Sequence, residues 1–214
     1  MKRMASFNWL MIIYLIGFIQ PVYSQTAKEI FNSSEIPVIY LGIDFTQARL
    51  IGDGAASAAD FKDKHFTAIN QVIVNEPKKY DLTKAFNRSS ISNDIAVTEN
   101  LNAKIDADKI KSSNSSDDAR LDAAAIQKVV DGYALDGKKG VGLVFIMESL
   151  NKTAERGSMY VTFIDMSTRK VLFTERMTGK SGGFGNRNYW VKPVFEVLEQ
   201  IKKSKYKEWK NKNV

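Results

Sequence analysis

Cysteine is absent from all 214 residues, and histidine occurs once, at position 65. Without cysteine there can be no disulfide framework, no thiolate metal site and no lipid-modified N-terminal cysteine. A single histidine also removes the paired-histidine motifs of zinc hydrolases. Four prolines and 13 glycines in an otherwise ordinary composition, 44% apolar and 26% charged, exclude collagen-like and low-complexity chains. One globular domain is the expectation for this length.

The first 24 residues stand apart. Lys2 and Arg3 make a positive start, residues 9–19 are an apolar run, and Val22 and Ser24 provide small side chains before Gln25. The run is shorter than the ~20 residues a spanning helix needs, and Pro21 follows it. This is the pattern of a cleaved export signal, with residues 25–36 a lead-in, 37–204 one domain and 205–214 a basic tail. A periplasmic or secreted address follows, without a lipid anchor and without an integral membrane span after cleavage. Four N-x-Ser/Thr triplets, at Asn32, Asn87, Asn114 and Asn151, are within the chance frequency for a chain rich in Asn and Ser.

Net charge is +7, and losing Lys2 and Arg3 leaves +5. Much of the excess is C-terminal: Lys202, Lys203, Lys205, Lys207, Lys210 and Lys212, interleaved with Tyr206 and Trp209. Cations at a helix C-terminus complement its dipole, which accounts for them without a polyanion. Nucleic acid is not an expected partner of an exported chain.

Residues 141–147 (VGLVFIM) form a nearly continuous apolar run, the mark of a strand buried on both faces. Residues 159–164 and 170–178, separated by a polar break, predict an antiparallel hairpin. Val191, Val194, Phe195, Leu198 and Ile201 recur every three or four positions, which predicts a helix whose apolar face covers the sheet. Upstream, residues 38–45 predict a strand, residues 57 or 60 to Pro77 a helix, and residues 78–87 a turn with a short helix. Ile91, Ile95 and Val97 alternate with polar residues and predict a strand. Ser116 is placed to cap a helix buried through Leu121, Ile126, Val130 and Tyr133. The expected architecture is α+β: a single domain with a mainly antiparallel sheet of about five strands and helices packed on it.

Chemistry-bearing residues are sparse. Asp44 ends a strand and Asp165 follows another, and each is a candidate carboxylate for hydrolysis; for Asp44 the preferred reading is a strand-end residue binding local amides. Asp60, Asp63 and His65 lie together in sequence, but helical angles set position 65 apart from the other two, so no metal site is expected. No Ser-His-Asp set or paired-carboxylate signature is present, so neither catalysis nor a cofactor is expected.

The most unusual local chemistry is residues 178–190, TGKSGGFGNRNYW. Gly179, Lys180 and Ser181 imitate the end of a phosphate-binding loop, yet Thr174 stands where that motif needs its first glycine and Gly182 where its helix would begin. Lys180, Phe184, Arg187, Tyr189 and Trp190 are the candidate binding residues: two cations for an anionic group and three aromatics for stacking or partner anchoring. Glycines serving only a sharp turn, with the aromatics sealing a core edge, are the competing explanation.

The hairpin of residues 159–178, with FIDMSTRKVLF at its turn, then the GGFGNRNYW loop and a closing helix, resembles exported bacterial proteins of uncharacterised role that carry a GGFGxRNYW-like loop. More distantly it is similar to the small α+β modules of bacterial envelope proteins: the TolB N-terminal domain, the curli-secretion lipoprotein and the penicillin-binding-protein activators. The resemblance covers the last third of the chain and implies a non-catalytic envelope module that binds a protein or an anionic surface ligand. A small-molecule or glycan ligand on the 179–190 loop is the alternative. It carries over no catalytic residue.

Overall fold

The computed structural model describes residues 26–213. The export segment expected over residues 1–24 lies outside them. No helix among the described residues is long and apolar enough to cross a membrane.

Seven strands make one sheet: β1 (Val38–Asp44), β2 (Arg49–Ile51), β3 (Ile91–Asn93), β4 (Lys111–Ser112), β5 (Val141–Asn151), β6 (Arg156–Asp165) and β7 (Lys170–Lys180). The apolar run that predicts a central strand is β5, every residue of which is buried. β1 and β2 follow one another along the same edge of β5, β1 against Val141 to Ile146 and β2 against Ser149 to Asn151, both parallel to it. β3 adds in parallel outside β1, and β4 in parallel outside β2. On the other edge of β5 lies the expected hairpin, with β6 antiparallel to β5 and β7 antiparallel to β6.

The expectation of a mainly antiparallel α+β sheet of about five strands is therefore corrected: there are seven strands, β1 to β5 run parallel, and the fold is α/β. Helical connections between β1 and β3, and between β3 and β5, bring the chain back in the same direction, as crossovers must. The strand predicted across Ile91, Ile95 and Val97 is also corrected. β3 stops at Asn93, and Val97 lies inside a helix, α5 (Ala96–Asn102).

Helices cover both faces. Val141, Leu143, Phe145 and Met147 of β5 point to the larger core. This core is closed by α1 (Ala27–Asn32), α3 (Phe66–Asn75), α4 (Leu82–Ala85), α7 (Asn186–Gln200) and α8 (Tyr206–Lys212). Val144 and Ile146 point the other way, onto Ile126 and Val130 of α6 (Ala123–Asp131) and Val97 of α5. A short α2 (Ala58–Asp60) joins α3 through a π turn, Phe61–His65, and a second π turn, Ile201–Lys205, joins α7 to α8. The helix predicted to start from Ser116 is capped instead by Asp122, whose carboxylate accepts from Ala125 N. Ser116 sits in a separate 3-10 turn, Ser115–Ala119.

β1 outgrows its outer neighbour. β3 pairs only with Val38 to Tyr40, and past that point side chains replace a strand. Thr98 Oγ1 donates to Leu41 O at 2.7 Å, Asn70 binds both Ile43 N and Ile43 O, and Asn102 binds Ile43 O and Phe45 N. All three are buried, so every one of those backbone groups would otherwise be an unpaid desolvation cost. Gly42, with φ +92°, marks the bulge, and a Cβ there would lie 2.4 Å from Thr98 Oγ1.

Candidate functional site

The 181–185 loop is positioned by a proline. Pro193 lies inside α7 and has no N–H to give to the carbonyl of Tyr189, four residues earlier. Gly182 N donates to that free carbonyl instead, at 3.2 Å, folding the loop back onto the helix. Ser181 N is bound to Glu155 O at 2.9 Å, and Tyr189 N to Gly185 O at 2.9 Å. Gly183 (φ +109°) and Gly185 (φ +78°) adopt backbone angles that a side chain disfavours. A Cβ on Gly179 would stand 2.1 Å from Pro193 O, so that glycine lets β7 touch α7.

Pinned on both sides, the loop carries Phe184 at its apex, 96% exposed. Beside it is a cleft of about 550 Å³ between the loop, α7 and the turn before α4. Arg187, Lys192 and Lys79 give it positive charge, and Glu76 opposes them. Arg187 reaches only Asn188 Oδ1, at 3.0 and 3.1 Å, and makes no ion pair among the described residues. Tyr80 and Phe195, in edge contact at 6.2 Å, supply apolar wall.

Of the five predicted binding residues, the structure brings Phe184 and Arg187 together at the cleft. Lys180 is exposed at the end of β7, opposite Arg156 in the ladder, and does not line the cleft. The Tyr189 ring lies under Lys152 Nζ, 3.5 Å from its centroid, and meets Trp190 edge-on at 4.8 Å. Trp190 is fully buried. Its spacing to Val194, Val197 and Ile201 is the signal that places it on the core face. Lys79, Tyr80 and Glu76 escape sequence reasoning altogether, because nothing in the local pattern of the turn after Pro77 ties it to a loop a hundred residues on.

The candidate carboxylates are engaged elsewhere. Asp44 accepts from Thr46 N at 2.7 Å and from Tyr133 Oη at 2.8 Å in full burial, which raises its pKa. Asp165 accepts from Ser167 N and Thr168 N as a turn residue. His65 lies 3.3 Å from Asn186 Nδ2, at the foot of the loop, and Asp60 pairs with Lys64. No group of three or more metal-ligating side chains occurs among the described residues.

A second polar centre, unread in the sequence, occupies the α6 face of the sheet. Glu148 is fully buried at a bulge of β5 and accepts from the backbone of Arg120 and Leu121 at 2.7 and 2.6 Å and from Arg176 Nε at 2.6 Å. Asp118 accepts from Ser149 Oγ at 2.6 Å and pairs with Arg156. Burial pushes the Asp118 carboxyl up, but the bonds from Ser149 and Arg156 outweigh it and hold the pKa below its ordinary value.

No protein-family model and no curated protein matches the chain.

Proposed function

We propose that this is an exported cell-envelope module that binds a partner protein without catalysis, with the apex of the 181–185 loop as its anchor. The observation that supports this most is Phe184: it is the only large apolar side chain exposed among the described residues, and it is presented on a loop held by backbone hydrogen bonds. A preorganised aromatic ring inserts into a partner's pocket at low entropic cost, which is how interface hot spots are built. Arg187, Lys79 and Lys192 beside it suit an acidic rim on that partner. A second reading, a small anionic or glycan ligand, is favoured by the size of the neighbouring cleft, which falls in the range of ligand pockets.

The test compares the purified protein with Phe184→Ala and Arg187→Ala combined. Both are immobilised, exposed to the same envelope extract, and then titrated with whatever the wild type retains. The expected result is a loss of about tenfold or more in affinity, equivalent to ~1.4 kcal/mol, at an unchanged melting temperature. Equal retention by both proteins would overturn the reading.

A further inference from the structure

The carboxyl end of β1 holds another cleft, of about 360 Å³, remote in sequence from the 181–185 loop. In open α/β sheets the crevice outside the carboxyl ends of parallel strands is where ligands sit, because the connections there diverge to the two sides. β1 ends at such a crevice: the chain turns there into β2 on the same edge of β5, reaches β3 through α3 and α4 on one face, and comes back to β5 through α5, β4 and α6, with α5 and α6 on the other face.

The cleft is cationic. Arg49 and Lys104 line it, and neither pairs with a carboxylate among the described residues. Lys109 pairs with Asp106 at 3.3 Å. Arg120 stands behind it, with Nη2 donating to the carbonyl of Gln47, one of the lining residues, and Nη1 buried with no partner among the described residues. Burial first, and the charge of Arg49 second, hold the Arg120 pKa below its ordinary value. The nearby carboxylates are committed: Glu148 serves Arg176 and two backbone amides, and Asp117 accepts from Ser112 Oγ. Two guanidinium groups that repel each other beside an open cleft are a stable arrangement when an anion lies between them and the solvent. Leu101 and Ile105 supply the main apolar part of the wall, and Thr46 and Gln47 add polar groups to it.

We propose that this cleft binds a small organic anion, a carboxylate or phosphate monoester on a compact apolar body, with the anionic group at Arg49 and Lys104 and the body against Leu101 and Ile105. The volume lies near the lower end of ligand pockets, which suits a single small molecule and excludes a polymer groove.

Amide chemical shifts of the purified, isotope-labelled protein test this with phenyl phosphate, phenylacetate and benzyl alcohol. Saturable shifts confined to residues 46–49 and 101–110 are expected with one or both anions at millimolar concentration, and the tighter of the two tells phosphate from carboxylate. Benzyl alcohol should bind about tenfold more weakly, and so should the anions to an Arg49→Gln, Lys104→Gln double variant, a difference of ~1.4 kcal/mol. Lys104→Glu, a change at an exposed position, gives the same reading should the double variant fold poorly. The Phe184→Ala, Arg187→Ala protein should bind the anions unchanged, which separates this site from the loop. Absence of saturable shifts, or binding undiminished in Lys104→Glu, would overturn the proposal.

Discussion

The face of the sheet that meets α1, α7 and α8 is a lattice of rings. Phe31 touches Phe163, Phe173 and Tyr206 edge-on at 5.9, 5.0 and 5.7 Å, and Phe173 lies 4.9 Å from Trp209. The opposite face starts as an ordinary aliphatic contact between α6 and β5, then changes at the bulge, where Glu148, Arg176, Asp118 and Arg156 take over. The difference follows from what each face has to hold. The ring face receives helices with apolar stripes, which tolerate many orientations. The charged face receives the Ser115–Ala119 turn, a segment with no stripe to bury, and hydrogen bonds with defined angles are what can fix it. Apolar area supplies cohesion on one side, and polar geometry supplies position on the other.

The largest effect should come from breaking the ring face. Trp209→Ala removes a fully buried indole and its bond from Nε1 to Glu175, and should cost about 3 to 5 kcal/mol in urea unfolding. A loss under ~1 kcal/mol would mean that α8 is not part of the cooperative core. Next comes the charged face. Glu148→Ala leaves Arg176 and two amides without their acceptor and should cost about 3 kcal/mol, while removing Arg176 as well should cost less than the sum of the two changes. Strict additivity in that double-mutant cycle would deny the pair its role.

The two buried carboxylates sharpen the contrast through pH. The pKa of Asp118 is lowered, so its contribution is present above its unfolded value, about 3.9, and is lost as pH falls through the folded one. The pKa of Asp44 is raised by burial, so its contribution is present below that unfolded value and is lost as pH rises through its folded one. Stability measured across acid and neutral pH should therefore lose part of its rise in Asp118→Asn and part of its decline in Asp44→Asn. Identical profiles in the two variants would refute the assignment. Smallest of all, Phe184→Ala should change stability by less than about 0.5 kcal/mol, since its ring touches solvent rather than either face.

What could be read in advance follows the same division. The β5 run, the β6–β7 hairpin and the stripe Val191, Val194, Phe195, Leu198 and Ile201 are apolar periodicities; the first two became the strands they predicted, and the stripe became α7, with Ile201 carried into the π turn after it and Phe195 left half-buried at the cleft. Strand direction was not legible, because β2, β3 and β4 have two or three residues and so carry no period. Ile95 and Val97 mislead for a related reason: over four residues, alternation and the first turn of a helix look alike. In the candidate site, the glycines announce a loop, and Phe184 and Arg187 are where a reader would look. Trp190 shows the limit, since local chemistry suggests a ligand while the helical period sends it inward. The Glu148 centre is invisible because its four charged members come from separate elements whose meeting is a product of the fold.

The buried trio Asn70, Thr98 and Asn102 bears on self-association. A parallel strand with bare amides and carbonyls along one side is a template on which other chains polymerise. Here the outer margin of β1 is already occupied by amide and hydroxyl groups rooted in two helices, so an incoming strand finds no vacancy. The far margin of the sheet is treated alike: Gln127 accepts from Val171 N and Gln200 donates to Thr178 O along β7. In a chain lacking disulfide staples and built around an apolar strand, side-chain caps at these places make it harder for another strand to add there.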